Sequence, residues 1–149
     1  MIAKGWRLYA HPLFDRQLQE LEDRVEKLAS KRPNHYREEP AAKLLAAIRR
    51  LIFDVIPSDP NAQESRQGNT LGVDNRHWFR AKFHQRFRLS YRFSSTEKVI
   101  VYAWMSDELS LRKSGSKTDP YRVFSDLLKS GDPPATMSQL MACASELKD

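Results

Sequence analysis

The chain of 149 residues carries a formal charge of +6, with 40% hydrophobic and 30% charged residues. That length and apolar content fit one domain over residues 1–149 with a sizeable core, and no apolar run approaches the roughly 20 residues that span a bilayer. The opening residues Met1 to Trp6 lack the apolar segment of a secretory signal, and the single cysteine, Cys143, excludes a disulfide framework. A reducing cytoplasm is the simplest setting, and a pI near 9.6 favours an anionic partner such as nucleic acid.

Gly5 to Ala10 alternates enough for a short first strand, and Pro12 follows where a helix can begin. From Leu13, the residues Phe14, Leu18, Leu21, Val25 and Leu28 recur at spacings of three and four, which predicts an amphipathic helix ending before Pro33. Its other face mixes Arg16, Glu20, Glu22, Asp23, Glu26 and Lys27 and reads as solvated surface. A second helix is expected from about Pro40 to Ile56, with Leu44, Leu45, Ile48, Leu51, Ile52 and Val55 as its apolar stripe and Pro57 as its end. The short polar linker between them predicts an antiparallel pair that can cover the aromatic face of a sheet. Ser58 to Asn75, rich in Pro, Asn, Ser, Gln and Gly, reads as a long loop. Its Gly68 to Gly72 segment lacks the lysine of a phosphate-binding P-loop.

A β-hairpin comes next. Phe79, Ala81, Phe83, Phe87, Leu89, Tyr91 and Phe93 share one parity, while Trp78, Arg80, Lys82, His84, Arg86, Arg88, Ser90 and Arg92 share the other. A tight reversal centred on Gln85 pairs Ala81 with Leu89 and Lys82 with Arg88, which puts both apolar rows on one face and both cationic rows on the other. Every charged residue between Asp74 and Glu97 is basic: Arg76, Arg80, Lys82, Arg86, Arg88 and Arg92. A merely solvated face is the plain alternative, but such faces usually mix signs because like charges opposite one another destabilise a sheet. A one-sign face points to a polyanion.

Val99 to Met105 is apolar on both parities, as in a strand covered on both faces or set mid-sheet. The polar stretch after it adds Arg112, Lys113 and Lys117. Asp119 as N-cap, Pro120 at the first helical position and Gly131 as the stop predict a helix from Tyr121 to Ser130 that packs Phe124, Leu127 and Leu128. A last short helix is expected from about Ser138.

The histidines His11, His35, His77 and His84 show neither i,i+4 pairing nor cysteine companions, which argues against a zinc site; no metal or other cofactor is expected. No Gly-x-Ser-x-Gly elbow is present. What remains is a set of arginines and lysines on strands, flanked by His77, His84 and Asp107, which suits cleavage of a phosphodiester by electrostatics. RNA supplies its own nucleophile in the 2′-OH, so a protein need only align it, stabilise the phosphorane and protonate the leaving oxygen. Guanidinium groups match two phosphate oxygens at once. RNA cleavage therefore ranks above DNA cleavage, and His84 reads equally well as a polar residue beside a turn.

Seven stretches, Gly5 to Phe14, Ala42 to Ala47, Gly68 to Gly72, Trp78 to Phe83, Arg88 to Arg92, Ala103 to Glu108 and Asp119 to Phe124, together resemble the YhaV toxins of bacterial toxin–antitoxin pairs, members of the RelE-like ribonuclease superfamily. The resemblance implies an α+β, RelE-like fold: two N-terminal helices packed on a twisted antiparallel sheet, with one or more C-terminal helices. It implies mRNA cleavage coupled to translation on ribosomes, and growth arrest. It also implies neutralisation by a PrlF-like antitoxin with an AbrB-type DNA-binding domain, through which the pair would reach operator DNA. Carried over by position, the catalytic set falls on Arg80, Lys82, Arg88, Asp107 and Arg112. Arg76, His77, Trp78, His84, Arg86, Arg92, Lys113 and Lys117 are the expected RNA-binding surroundings. Ser106 stands where the family tends to have Asn, and Ser114 where it tends to have Tyr. Two other functions fit parts of this pattern: a ParE-like gyrase inhibitor, which would not require the one-sign face, and a non-catalytic nucleic-acid-binding module.

Overall fold

The computed structural model describes residues 1–67, 71, 75–84, 86–106 and 120–148. Lys4 and Gly5 both take positive φ, 51° and 87°, as a two-residue hairpin turn whose twist matches its strands requires. That turn joins β1 (Ile2–Ala3) to β2 (Trp6–Ala10), and β1 lies outside the strand expected from the alternation. Helix α1 (Pro12–Lys31) follows, capped by His11, whose Nδ1 accepts the Leu13 N–H at 3.1 Å. Its buried residues Phe14, Leu18 and Leu21 are the first part of the stripe seen in the sequence, and Val25 and Leu28 beyond them are half-buried.

The second helix begins at Pro40 as expected but does not end at Pro57. Regular α-helix α2 (Pro40–Arg50) passes into one wider turn over Leu51–Val55, and the last turn, α3 (Ile56–Ser58), includes Pro57. The Ile56 N–H reaches back five residues to Leu51 O. In that register the next carbonyl, Ile52, would need the N–H that proline lacks. The Tyr102 hydroxyl takes its place, donating to Ile52 O at 2.6 Å.

The hairpin has the expected register. In β3 (Phe79–Phe83) and β4 (Phe87–Ser94), Ala81 faces Leu89 and Lys82 faces Arg88. Strand β5 (Val99–Met105) is buried along its whole length. Helix α4 (Pro120–Ser130) stops at Gly131, where φ is +85° and the Gly131 and Asp132 N–H groups return to Leu128 O and Leu127 O, closing the helix end. Helix α5 (Met137–Cys143) is capped by Thr136, and β6 (Ser145–Glu146) ends the ordered sheet.

Among the described residues the sheet order is β1-β2-β5-β4-β3, with β6 also on β2. The sheet is mixed rather than purely antiparallel, because β2 and β5 run parallel, Arg7 opposite Val99 and Ala10 opposite Tyr102. The chain leaves β2 through α1 and α2 and returns only after the β3–β4 hairpin, a crossover long enough to allow a parallel neighbour. β1 and β6 share the outer edge of β2, and the Met1 ammonium meets Glu146 at 2.8 Å.

Each face of the sheet carries its own core. On one, Phe14, Leu18, Leu21, Ile48 and Ile52 from the N-terminal helices, which pack on each other, cover Ala81, Phe83, Leu89, Tyr91, Ile100 and Tyr102. On the other, Phe124, Leu128 and Leu140 cover Trp78, Val99, Val101, Ala103 and Trp104. This second layer is why β5 is apolar on both parities. No described helix is long and apolar enough to cross a membrane.

Candidate functional site

The second layer divides the cationic face of the hairpin in two. At its base, Trp78 is wholly buried, edge-on to Phe124 at 5.0 Å between ring centroids, while Phe124 stacks on Trp104 at 5.6 Å. Trp78 thus belongs to the core and offers no open face for a nucleobase. Arg92 lies beside it, its guanidinium over the Trp78 ring at 5.7 Å and donating to the Ala135 carbonyl. That side chain ties β4 to the segment between α4 and α5. Burial lowers its pKa.

Gln67, Leu71, Arg80, Arg88, Ser90, Trp104 and Phe124 line a narrow cleft. Arg80 stands opposite Ser90 and Lys82 opposite Arg88, so Arg80 and Arg88 are diagonal neighbours on one face. Both are half-buried. Burial lowers the pKa of each, and for Arg80 the neighbouring Arg88 charge lowers it further. Arg88 donates from Nη1 to the Phe87 carbonyl at 3.0 Å, and its peptide group is bracketed by Ser106: Arg88 N–H to Ser106 Oγ at 2.9 Å, Ser106 N–H to Arg88 O at 2.9 Å.

Around the cleft, Lys82, His84 and Arg86 are exposed at the hairpin tip, with His84 at φ +51°, and Arg76 and His77 are exposed just ahead of β3. The structure therefore brings Arg80, Lys82 and Arg88 together, with Arg86 and His84 at the rim. It buries Trp78 under the C-terminal layer and engages the half-buried Arg92 with Trp78 and the Ala135 carbonyl. Asp107, Arg112, Lys113 and Lys117 lie outside the described residues, as do the cap Asp119 and most of the Gly68 to Gly72 segment.

Gln67, Ser90 and Ser106, all buried, are polar neighbours of the arginines; the sequence marked Ser106 only as a departure from the family pattern and singled out neither Gln67 nor Ser90. Ser90 had a signal, since it shares the parity of the cationic row. Gln67 had none, because only the fold carries that loop to the cleft. Among the described residues no group of three or more His, Cys, Asp or Glu side chains is placed to hold a metal ion.

This arrangement, two half-buried guanidinium groups set side by side on rigid strands with lysine and arginine at the rim, is suited to gripping a phosphate and the chain that carries it. Residues 8–145 match the family Toxin_YhaV, described as a toxin with endonuclease activity, of toxin-antitoxin system. The chain is 45% identical over 140 residues to "Ribonuclease toxin YhaV" of Escherichia coli strain K12, covering 93% of this chain and 91% of that protein. Identity and coverage are the same for "Toxin YhaV" of Escherichia coli O6:H1. No solved structure matches. With nearly its whole length aligned and the cationic hairpin inside the match, the chain belongs to the YhaV family of endonuclease toxins of toxin–antitoxin systems.

Proposed function

We propose that this chain is an endoribonuclease that cleaves mRNA without a metal ion, by aligning the RNA's own 2′-OH on the scissile phosphate at the Arg80–Arg88 cleft. The observation that carries the reading is the pair itself. Burial lowers the pKa of both arginines and the Arg88 charge lowers that of Arg80 further, so the pair gains from a ligand that brings negative charge to it. A phosphorane, with more charge on its oxygens than the ground-state diester, gains most. Lys82 and Arg86 would steer the strand along the hairpin tip, and Asp107 and Arg112, from the segment after β5, would complete the site. The reaction so drawn leaves a 2′,3′-cyclic phosphate and a free 5′-OH.

Two helices against one sheet face support the RelE-like arrangement, and the family supports an antitoxin partner. We take that antitoxin to be PrlF-like, with an AbrB-type domain that carries the pair to operator DNA. The setting is the cytoplasm, on translating ribosomes. Labelled RNA incubated in EDTA, with and without ribosomes, tests the mechanism. Cleavage should persist in the chelator and stop when the scissile ribose is 2′-deoxy; undiminished cleavage of the deoxy substrate overturns it.

A further inference from the structure

We propose that Gln17 is a positioning residue for RNA cleavage, holding Arg88 at the cleft through the backbone of Met105 and Ser106. The proposal rests on the reading of Arg88 as a phosphate-binding group. Strand β2 ends at Ala10 opposite Tyr102, and the His11 N–H makes the next bond to β5, to Tyr102 O at 2.9 Å. β5 runs on to Met105, so its last residues outrun their parallel neighbour. Helix α1 rises at that point, and Gln17 supplies a substitute strand. Its carboxamide donates to Met105 O at 2.8 Å and accepts the Met105 N–H at 3.0 Å.

One residue further the backbone groups turn toward β4, where Ser106 closes both peptide groups of Arg88. The connection from α1 to the arginine is therefore continuous: Gln17 to Met105, Ser106 to Arg88. Gln17 sits three residues after Phe14 and four before Leu21, on the helix stripe that enters the core. An apolar residue would serve packing there, and a carboxamide is placed to good effect because it meets both backbone polar groups of one residue, Met105.

Single-turnover cleavage of labelled RNA, well below the unfolding midpoint, separates positioning from stability. Gln17→Met keeps the length and removes both bonds. It should lower the cleavage rate constant roughly ten- to hundred-fold with the RNA affinity altered less than about twofold, since small displacements of a catalytic group act on the chemical step. Gln19→Met, whose carboxamide bonds Asp23 on the exposed side of α1, should leave the rate unchanged. Ser106→Ala should also lower the rate constant, and the double variant with Gln17→Met should lose less than the product of the two effects, because both act through one connection. If Gln17→Met does not fold, Gln17→Glu, which keeps the acceptor and loses the donor, reads the same rate constant. Arg88→Ala is measured alongside. An active Arg88→Ala variant sinks the phosphate reading itself. An inactive Arg88→Ala variant beside a Gln17 variant that cleaves at the parent rate, or loses activity only in proportion to its unfolded fraction, overturns the positioning role alone.

Discussion

The Tyr102 hydroxyl donates to the Ile52 carbonyl at 2.6 Å, joining the middle of β5 to the wide turn that lets Pro57 stay inside the second helix. Both partners are buried, and burial raises the Tyr102 pKa well above its ordinary value. Tyr102→Phe should keep the fold and lower stability by about 1–3 kcal/mol, the cost of leaving a buried carbonyl unsatisfied. Equilibrium denaturation measures it. An unchanged midpoint with an unchanged slope would mean that water replaces the hydroxyl.

Arg80 and Arg92 lie on the same face and should fail differently. Arg80→Ala should stay folded and lose roughly 10²–10³ in cleavage rate, the usual contribution of one transition-state charge donor. Arg92→Ala should instead lower the unfolding midpoint, because it removes the contact with Ala135 and the cover on Trp78. Below that midpoint it should cleave at nearly the parent rate. A folded Arg80→Ala variant that still arrests growth would remove Arg80 from the site.

Stability should fall as pH drops below about 6.5, through His11. Burial lowers its pKa, partly opposed by Asp132, whose carboxylate lies 3.2 Å from Nε2. Nδ1 accepts the Leu13 N–H, so the native form is the neutral ring with its proton on Nε2. With the folded pKa below the unfolded one, the unfolded chain binds more protons between them. The contribution is whole above the unfolded value and lost progressively down to the folded one. His11→Asn retains a capping side chain without a titrating ring, and its stability should lose this component of the pH dependence. An identical profile in parent and variant would place the effect elsewhere.

Antitoxin binding should weaken as salt rises if the antitoxin covers the open cationic end of the hairpin. Lys82→Glu and Arg86→Glu, both at exposed positions, should then reduce the affinity. Affinity indifferent to salt and to both substitutions would put the antitoxin on another surface.

Much of this was legible along the chain, because period-two alternation from Phe79 to Phe93 leaves one register that keeps the arginines out of the core, and the structure has that register. The buried parts of the first two helical stripes, the Gly131 stop and the two-faced burial of Val99 to Met105 follow from equally local rules, whereas Val55, expected on the second stripe, lies exposed at the end of the wide turn. Local rules could not show that β2 lies parallel to β5, since that depends on where the chain returns after a long crossover. Nor could they divide the cationic row. Trp78 and Arg92 alternate with their neighbours like any other residues on that face, and only the packing of Phe124 and Ala135 across it buries Trp78 and engages the half-buried Arg92 while Lys82 and Arg86 stay in water. The same holds for Gln17, whose partner is 88 residues away: a polar residue on an apolar stripe is visible in sequence, but the peptide group it serves exists only where β5 outruns β2.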